Sequence, residues 1–277
     1  LLGEDKLNLT KHYTENTEAY NLYLEGLFLL NTRGKEEMKR GIAFFQMAID
    51  KDPQYALAYA GLADSYSLMA FWGFMSPEEA YQNAVRLTEK ALEIDDTIAE
   101  VHSSLGFIKM THDYDWGGAE KEYKRAIELN PSHSISHFWY GAFSVFMNKF
   151  EKGYREIKKG LEVDPLSLII NSHLVDALRV SNRIDEAIEQ AEKTIAMNPK
   201  AGITYYYLGK AYLQKGQLEK AIAAFEKSVA LRNFPYANIA LPYSYAKYGE
   251  TEKARKIIHE METKAKKEYV PLAMYYI

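Results

Sequence analysis

The stretch Gly202–Asn233 determines the fold, and it reads GITYYYLGKAYLQKGQLEKAIAAFEKSVALRN. It contains two stripes of apolar and small residues at helical spacing, separated by a Lys-Gly-Gln turn. The stripes are Tyr205, Leu208, Gly209 and Tyr212, followed by Ala221, Ile222, Phe225 and Val229. Gly209 and Ala221 allow two antiparallel helices to approach closely, while the large residues fill the space around the contact. One such hairpin cannot bury both of its faces, so it needs neighbours of the same kind.

A regular spacing of prolines indicates that these neighbours exist. Pro131, Pro165 and Pro199 follow one another at intervals of 34 residues (165−131 and 199−165). Three further residues occupy the same place in the pattern, namely Pro53, Asp96 and Asn233. Asp96 follows Pro53 by 43 residues, and Asn233 follows Pro199 by 34. A period of 34 residues is typical of a repeated helix–turn–helix unit.

The residues within this period resemble the tetratricopeptide repeat family over nearly the whole chain. The run AYAGLADSY at 58–66 and the run AIELNP at 126–131 are similar to the typical sequence of that repeat. The resemblance implies an all-α fold, an α-α superhelix or solenoid of about seven tandem repeats with a C-terminal partial repeat or capping helix. The expected repeats are 17–53, 54–96, 97–131, 132–165, 166–199, 200–233 and 234–264. Residues 1–15 are expected to form a linker or N-terminal cap, the array itself spans 16–277, and the C-terminal cap is 265–277.

A narrower resemblance concerns the context of the array. The segments 94–107 and 114–123 are similar to the C-terminal repeat regions of multidomain bacterial and archaeal signalling proteins. In those proteins an adenylate-cyclase-like, protein-kinase or winged-helix domain precedes the repeats. The resemblance implies that any catalytic activity lies upstream of Leu1, and the absence of an initial methionine fits a piece of a longer protein.

Composition excludes several classes of function. The net charge of −4 and the pI of about 6.0 do not favour direct contact with nucleic acid. The basic cluster of Lys264, Lys266 and Lys267 is interpreted as a solvated face. The chain has no cysteine, which excludes disulfides and thiolate metal sites and fits a cytoplasmic location. No apolar run approaches 18 residues, so no membrane span is predicted.

No motif in the chain indicates catalysis or a cofactor. Gly209-Lys210 is similar to the end of a phosphate-binding loop, but Thr204 and Ala211 stand where that motif requires glycine and a hydroxyl residue. Scattered Asp and Glu residues on helix surfaces are expected to be solvated. We therefore expect a non-enzymatic protein with no cofactor.

Two groups of residues have the spacing of weak metal sites. His133 and His137 lie four residues apart and share a helix face, but no third ligand stands at a suitable distance. His112, Asp113 and Asp115 cluster in one turn, where turn formation and helix capping explain them equally well. We expect no metal site at either place.

The surface expected to bind a partner is the concave face of the array, lined by the first helix of each hairpin. Positions 2, 5, 9 and 12 of each repeat face this groove in the resembled family, and here they are largely apolar and aromatic. The predicted groove residues are Tyr20, Tyr23, Leu27, Asp64, Phe107, Met110, Phe138, Asp176, Arg179, Tyr206, Lys210 and Tyr243. The lysine and asparagine pattern with which some family members grip a terminal carboxylate is missing.

An insertion of about nine residues interrupts the second hairpin at 67–77. It is unusually apolar, and Phe71, Trp72, Phe74 and Met75 form a possible docking loop. Such a loop either packs into the groove or contacts a partner. Farther along, Pro242 falls inside a helical pattern and predicts a kink or a late helix start.

These features predict a protein-binding module whose aromatic groove holds a segment of a protein or peptide partner. The module is expected to be the regulatory or scaffolding part of a larger signalling protein. The alternative is a structural arm that forms homo-oligomers or packs on an upstream catalytic or DNA-binding domain of the same chain.

Overall fold

The computed structural model describes residues 14–232 and 235–265. Asn233, Lys266 and Lys267 therefore lie outside the described residues, as do most of the predicted caps at 1–15 and 265–277. Within the described ranges the chain consists of helices and short connections, with no β-strand. The prediction of an all-α repeat of helical hairpins is confirmed.

Fourteen α-helices are present in the described ranges, and one of them continues into a π-helical turn at Lys109–Asp113. The helices are α1 (Thr17–Asn31), α2 (Lys35–Lys51), α3 (Ala56–Phe71), α4 (Pro77–Ile94), α5 (Ala99–Ile108), α6 (Trp116–Leu129), α7 (Ser134–Phe146), α8 (Phe150–Val163), α9 (Leu168–Val180), α10 (Ile184–Met197), α11 (Gly202–Gln214), α12 (Leu218–Arg232), α13 (Pro235–Tyr248) and α14 (Thr251–Ala265).

The chain divides into two compact units, with the boundary between Trp139 and Tyr140 inside α7. In the first unit, α1 pairs with α2, α3 with α4, and α5 with α6. In the second unit, α9 pairs with α10, α11 with α12, and α13 with α14. Within each unit, first helices also contact the second helix of the preceding hairpin, as α3 contacts α2 and α11 contacts α10.

The turn inside each hairpin contains one residue in the left-handed region of φ. These residues are Arg33, Gly73, Tyr114, Asn148, Asn182, Gly216 and Gly249. Glycine and asparagine adopt this conformation at little cost, which explains five of the seven positions. Arg33 and Tyr114 are bulky exceptions, and both lie in the first unit.

Four connections between hairpins share a hydrogen bond that recurs at the same place in the repeat. A side chain near the start of a first helix donates to the carbonyl oxygen six residues earlier, at or near the repeated proline. The pairs are Tyr59 Oη with Pro53 (3.3 Å), His102 Nε2 with Asp96 (2.8 Å), His137 Nε2 with Pro131 (3.0 Å) and Asn171 Nδ2 with Pro165 (3.0 Å). The connection between hairpins is therefore fixed by the helix that follows it.

Glycines mark the places where paired helices approach most closely. A Cβ atom on Gly26 would lie 2.8 Å from the ring of Phe45, and one on Gly209 would lie 2.5 Å from the ring of Phe225. Gly141 and Gly153 face each other between α7 and α8, where an added Cβ would lie 2.9 Å from the opposite carbonyl oxygen. The small residues of the repeat pattern thus set the distance between the helices.

Two local expectations differ from the structure. Most of the 67–77 insertion is not a loop, because α3 continues to Phe71 and α4 begins at Pro77. Trp72, Phe74 and Met75 lie in the short connection between the two helices. Of the two alternatives expected at Pro242, the late helix start is wrong, since α13 begins at Pro235 and contains Pro242, whereas the kink stays a prediction.

Candidate functional site

Most predicted groove residues of the first unit are buried and therefore not accessible to a partner. Tyr23, Phe107, Met110 and Phe138 are buried, and Phe138 is fully buried. Leu27 and Asp64 are half-buried, and Tyr20 is exposed. A partner would reach Phe107 or Phe138 only after displacing the residues that cover them.

The residues of the insertion explain part of this burial. The ring of Phe71 lies 5.5 Å from that of Phe107, and the ring of Phe107 lies 4.5 Å from that of Trp139. Trp72 is buried beside Phe71, at 5.0 Å between ring centres. Phe74 is half-buried, and Met75 packs against Ala70, Ala80 and Tyr81. Of the four proposed docking residues, only Phe71 is exposed, and it contacts the array itself.

The first unit also contains a charged group inside its apolar environment. Burial raises the pKa of Asp64 to about 6, although a hydrogen bond from Ser104 and the charge of Arg33 act in the opposite direction. Burial lowers the pKa of Arg33 to about 10. Among the described residues, Nε and Nη1 of Arg33 have no hydrogen-bond partner. This group is energetically unfavourable, because buried charged groups lose hydration.

Four of the five predicted residues of the second unit, namely Asp176, Arg179, Tyr206 and Lys210, lie together. Asp176 and Arg179 on α9 form an ion pair, with 2.8 Å between Asp176 Oδ1 and Arg179 Nη2. Lys210 on α11 lies 3.3 Å from the same carboxylate oxygen. Nη1 of Arg179 donates to Oε1 of Gln214 at 3.0 Å, which connects the two helices a second time. The face of α9 and α11 thus carries one carboxylate and two cations.

Tyrosines surround this group. Nζ of Lys210 lies 5.4 Å from the ring centre of Tyr206 and 5.7 Å from that of Tyr207. The ring of Tyr206 lies 6.5 Å from that of Tyr236 on α13. Tyr243, two helical turns farther along α13, is 46% exposed. The face therefore combines ionic groups with accessible aromatic area.

Charge and burial determine what this face attracts. Burial alone would raise the pKa of Asp176, but the charges of Lys210 and Arg179 lower it below its ordinary value. Burial lowers the pKa of Lys210, and Asp176 opposes this effect. With Asp176 ionised and both bases protonated, the group has a net charge of +1. Because two cations share one carboxylate, an incoming anion or carbonyl oxygen would be bound favourably.

Sequence spacing anticipated much of this arrangement. Lys210 follows Asp176 by 34 residues (210−176), so the repeat period places both at the same position of consecutive first helices. Arg179 lies three residues after Asp176 and shares its helix face. Gln214 was missed, and its position one turn beyond Lys210 is the only signal that pointed to it.

The two weak metal candidates are occupied by ordinary hydrogen bonds. Nδ1 of His133 lies 2.7 Å from Ser136 Oγ, and Nδ1 of His112 lies 2.8 Å from Asp113 Oδ1. Asp115 caps α6 by accepting from the Gly118 amide. In the described part of the chain, no cluster of three or more His, Asp and Glu residues has the arrangement of a metal site. None of the helices described is both long enough and apolar enough to cross a membrane.

Two stretches of the second unit match models of known repeat families. Residues 174–238, from α9 into α13, match the family model described as tetratricopeptide repeat. Residues 243–264, from α13 into α14, match the model described as PPR repeat. The predicted similarity to the tetratricopeptide repeat is confirmed for residues 174–238, and repeats of this type support a role in protein–protein interaction.

The curated relatives are transcriptional regulators. HilA of Salmonella typhimurium and HilA of Salmonella typhi are each 26% identical to this chain over 160 residues, which is 56% of the chain. The alignment spans only 28% of the length of each regulator.

Solved structures share the fold. The human IFIT1 dimer with PPP-AAAA is 15% identical with a TM-score of 0.68, covering 86% of this chain and 57% of that chain. The APC/C hetero-tetramer Cut9-Hcn1 is 15% identical with a TM-score of 0.59, covering 82% of this chain and 46% of that chain. At this level of identity the similarity concerns the fold alone.

Proposed function

We propose that this array of tetratricopeptide repeats is a non-enzymatic module that binds an extended segment of a protein partner through its second unit. The binding face is formed by Asp176, Arg179, Tyr206, Lys210 and Tyr243, here called the tyrosine–lysine face. The observation that carries the proposal is the sharing of Asp176 by two cations beside accessible tyrosine rings. No comparable accessible group occurs among the predicted groove residues of the first unit.

The partner segment is expected to carry an acidic side chain next to an apolar or aromatic one. The acidic group would accept hydrogen bonds from Lys210 and Arg179, whose charges exceed that of Asp176. The apolar neighbour would bury the rings of Tyr206 and Tyr243, since tyrosine provides large contact area at low entropic cost. Partner recognition then rests on a few central residues, as in most protein interfaces.

A peptide-display selection tests this proposal. The full chain is used to select from a library of random peptides, and the binding of a selected peptide is measured by fluorescence anisotropy. Lys210→Met removes the charge and keeps the aliphatic stem, and Tyr243→Ser removes an exposed ring. Lys200→Met is the matched control, because Lys200 is exposed in the connection before α11.

The expected result is enrichment of acidic peptides whose affinity falls about tenfold or more with Lys210→Met and with Tyr243→Ser. Lys200→Met should leave the affinity unchanged. Circular dichroism confirms that each variant remains helical. Peptides that bind all variants equally would place the binding surface elsewhere, and failure to enrich any peptide would contradict the module's proposed role.

A second function is favoured by the lengths of the relatives. The HilA regulators extend far beyond the aligned region, so the part of each regulator that resembles this chain accompanies other parts of the same protein. By analogy, this chain would be the regulatory or scaffolding part of a larger cytoplasmic signalling protein, or a structural arm that self-associates or packs on an upstream domain. Light scattering over a wide concentration range distinguishes self-association, which raises the mass, from the binding module, which remains monomeric.

A further inference from the structure

Three charged side chains from separate hairpins meet inside the first unit. Asp64 lies on α3, Glu100 lies on α5, and Arg33 lies in the turn between α1 and α2. Both α1 and α5 contact α3, so three successive hairpins contribute one group each. The charges of Arg33 and Glu100 both act on Asp64, which places these two groups near its carboxylate. The first unit thus gathers one guanidinium and two carboxylates, here called the Asp64 site.

Several buried polar atoms of the Asp64 site have no hydrogen-bond partner among the described residues. They are Nε and Nη1 of Arg33 and Oε2 of Glu100. The other oxygen of Glu100, Oε1, lies 3.8 Å from Nε2 of His133. Ser103 is only 4% exposed and lies three residues after Glu100 on the same side of α5, and its Oγ is also unpartnered. Because buried polar atoms are nearly always hydrogen-bonded, these donors and acceptors indicate a ligand or ordered water.

The backbone of Arg33 is strained where it supplies the guanidinium. Its φ is 58°, in the left-handed region that bulky residues avoid, whereas glycine or asparagine stands in five of the other six turns. Asparagine here would remove both the strained conformation and the unpartnered guanidinium. Strain that the surrounding structure maintains is typical of ligand-binding sites. Arg33 and Asp64 are half-buried and the side chain of Glu100 is 25% exposed, so the site is open to solvent.

The charges of the Asp64 site determine which ligand fits it. With Asp64 and Glu100 ionised and Arg33 protonated, the site has a net charge of −1. The two carboxylates would repel an anion, and a metal cation would leave the donors of Arg33 unsatisfied. Water supplies hydrogen bonds but no positive charge. An ammonium group carries one positive charge and donates up to three hydrogen bonds, and an oxygen next to it accepts from the guanidinium.

We propose that the Asp64 site binds an ammonium group with a neighbouring carbonyl or carboxylate oxygen, as found in a free amino acid and at the amino terminus of a peptide. The ammonium group donates to the carboxylates of Asp64 and Glu100, and the oxygen accepts from Arg33. The hydroxyl of Ser103 supplies one more polar contact. This site belongs to the first unit and is independent of the tyrosine–lysine face in the second.

Isothermal titration of the full chain with four small probes tests this proposal. L-alaninamide carries an ammonium group and a carbonyl oxygen, and L-alanine carries an ammonium group and a carboxylate. Propylamine offers the ammonium group alone, and propionamide offers the carbonyl oxygen alone. The titrations are made at pH 7, where an α-amino group is still mostly protonated and Asp64, with a pKa of about 6, is mostly ionised.

The expected result is that L-alaninamide or L-alanine binds about tenfold or more tightly than propylamine and propionamide. Asp64→Asn, Glu100→Gln and Arg33→Met should each weaken this binding about tenfold or more. Asp50→Asn, on the exposed side of α2, is the matched control and should leave the affinity unchanged. Tighter binding of L-alanine would assign the site to a free amino acid, and tighter binding of L-alaninamide would assign it to the amino terminus of a peptide.

Asp64→Asn also separates binding from a purely structural role. Because the substitution removes a buried charge, the variant should be at least as stable as the parent at pH 7 in urea denaturation, although it loses the ligand. A carboxylate kept for stability alone would instead make the variant less stable. The proposal would be overturned if no probe bound the parent, which would leave water alone at the site. Equal affinity for propylamine and L-alaninamide, or unchanged affinity in all three variants, would overturn it as well.

Discussion

At the scale of single residues, the turns of the first and third hairpins hold a bulky residue at positive φ, Arg33 and Tyr114. Five of the seven left-handed residues are glycine or asparagine and could be anticipated as helix ends. Arg33 and Tyr114 carry no such signal, because bulky residues are not expected at positive φ. Their conformation is imposed by the hairpin geometry that every repeat shares.

Tyr114 provides a direct test of this strain. Its φ is 56°, its side chain is 67% exposed, and the centre of its ring lies 5.9 Å from that of Trp116. Tyr114→Asn should raise the free energy of unfolding by about 1 kcal/mol, because asparagine tolerates this conformation. Urea denaturation measures the change, with Tyr114→Phe as the control that keeps the strain. A loss of stability in Tyr114→Asn would show that the ring contributes more than the strain costs.

Asp64 predicts a specific dependence of stability on pH. Its pKa is about 6 in the folded protein against an ordinary value of 3.8, mainly because of burial among Arg33, Ser104, Glu100 and Tyr123. The folded state therefore binds the proton more tightly than the unfolded state. Protonation of Asp64 therefore stabilises the folded protein. This contribution to the free energy of unfolding is fully present below pH 3.8 and is lost as the pH rises to about 6.

Replacement of Asp64 by asparagine removes this titration. Asp64→Asn should be more stable than the parent at pH 7, by at most about 3 kcal/mol, since a pKa difference of one corresponds to about 1.4 kcal/mol. At pH 4 the two proteins should be nearly equally stable. Asp50→Asn on the exposed side of α2 is the control. A parent and variant with parallel stability profiles between pH 4 and 7 would contradict the burial of Asp64.

At the scale of helices, the sequence was sufficient to predict the hairpins but not their accessible surface. The 34-residue period and the small residues identified which helices pair, and the period also aligned Asp176 with Lys210. Burial of Phe107 was not predictable, because the rings of Phe71 and Trp139 that flank it come from other hairpins. Local pattern determines which face of a helix is apolar, whereas its neighbours determine whether that face remains accessible.

The close approaches between helices predict an order of mutational effects. A methyl group at Gly209 would meet the ring of Phe225, a side chain that has some freedom to move. A methyl group at Gly141 would meet the backbone of Gly153 and Ile157. Backbone atoms inside a helix have much less freedom to move than a side chain has. Gly209→Ala should lower the free energy of unfolding by about 1–3 kcal/mol, and Gly141→Ala should lower it by more. Gly117→Ala, with no atom closer than 3.9 Å, should be neutral or stabilising. Thermal unfolding of the three variants tests this order, and a greater loss for Gly209→Ala would contradict it.

At the scale of the whole chain, the described contacts join helices that are close in sequence. In such a repeat array, stability is approximately the sum of terms for single repeats and for neighbouring pairs. A destabilising change should therefore be felt near its own hairpin and not throughout the chain. The apolar cluster around Phe225, which includes Leu241 and Tyr245, lies in the second unit and is suited to this test.

Hydrogen exchange of Phe225→Ala tests whether stability is local. Removing this fully buried ring should lower the free energy of unfolding by about 3–5 kcal/mol. Amides of α11, α12 and α13, which line the resulting cavity, should exchange faster by a large factor, while those of α1 to α4 should exchange as in the parent. Phe45→Ala in the first unit is the reciprocal variant, and it should accelerate exchange in α1 to α3 alone. A uniform acceleration along the chain in both variants would mean that the protein unfolds as one cooperative body. A partner bound at α9 and α11 would then stabilise the entire chain, whereas local stability confines its effect to the second unit.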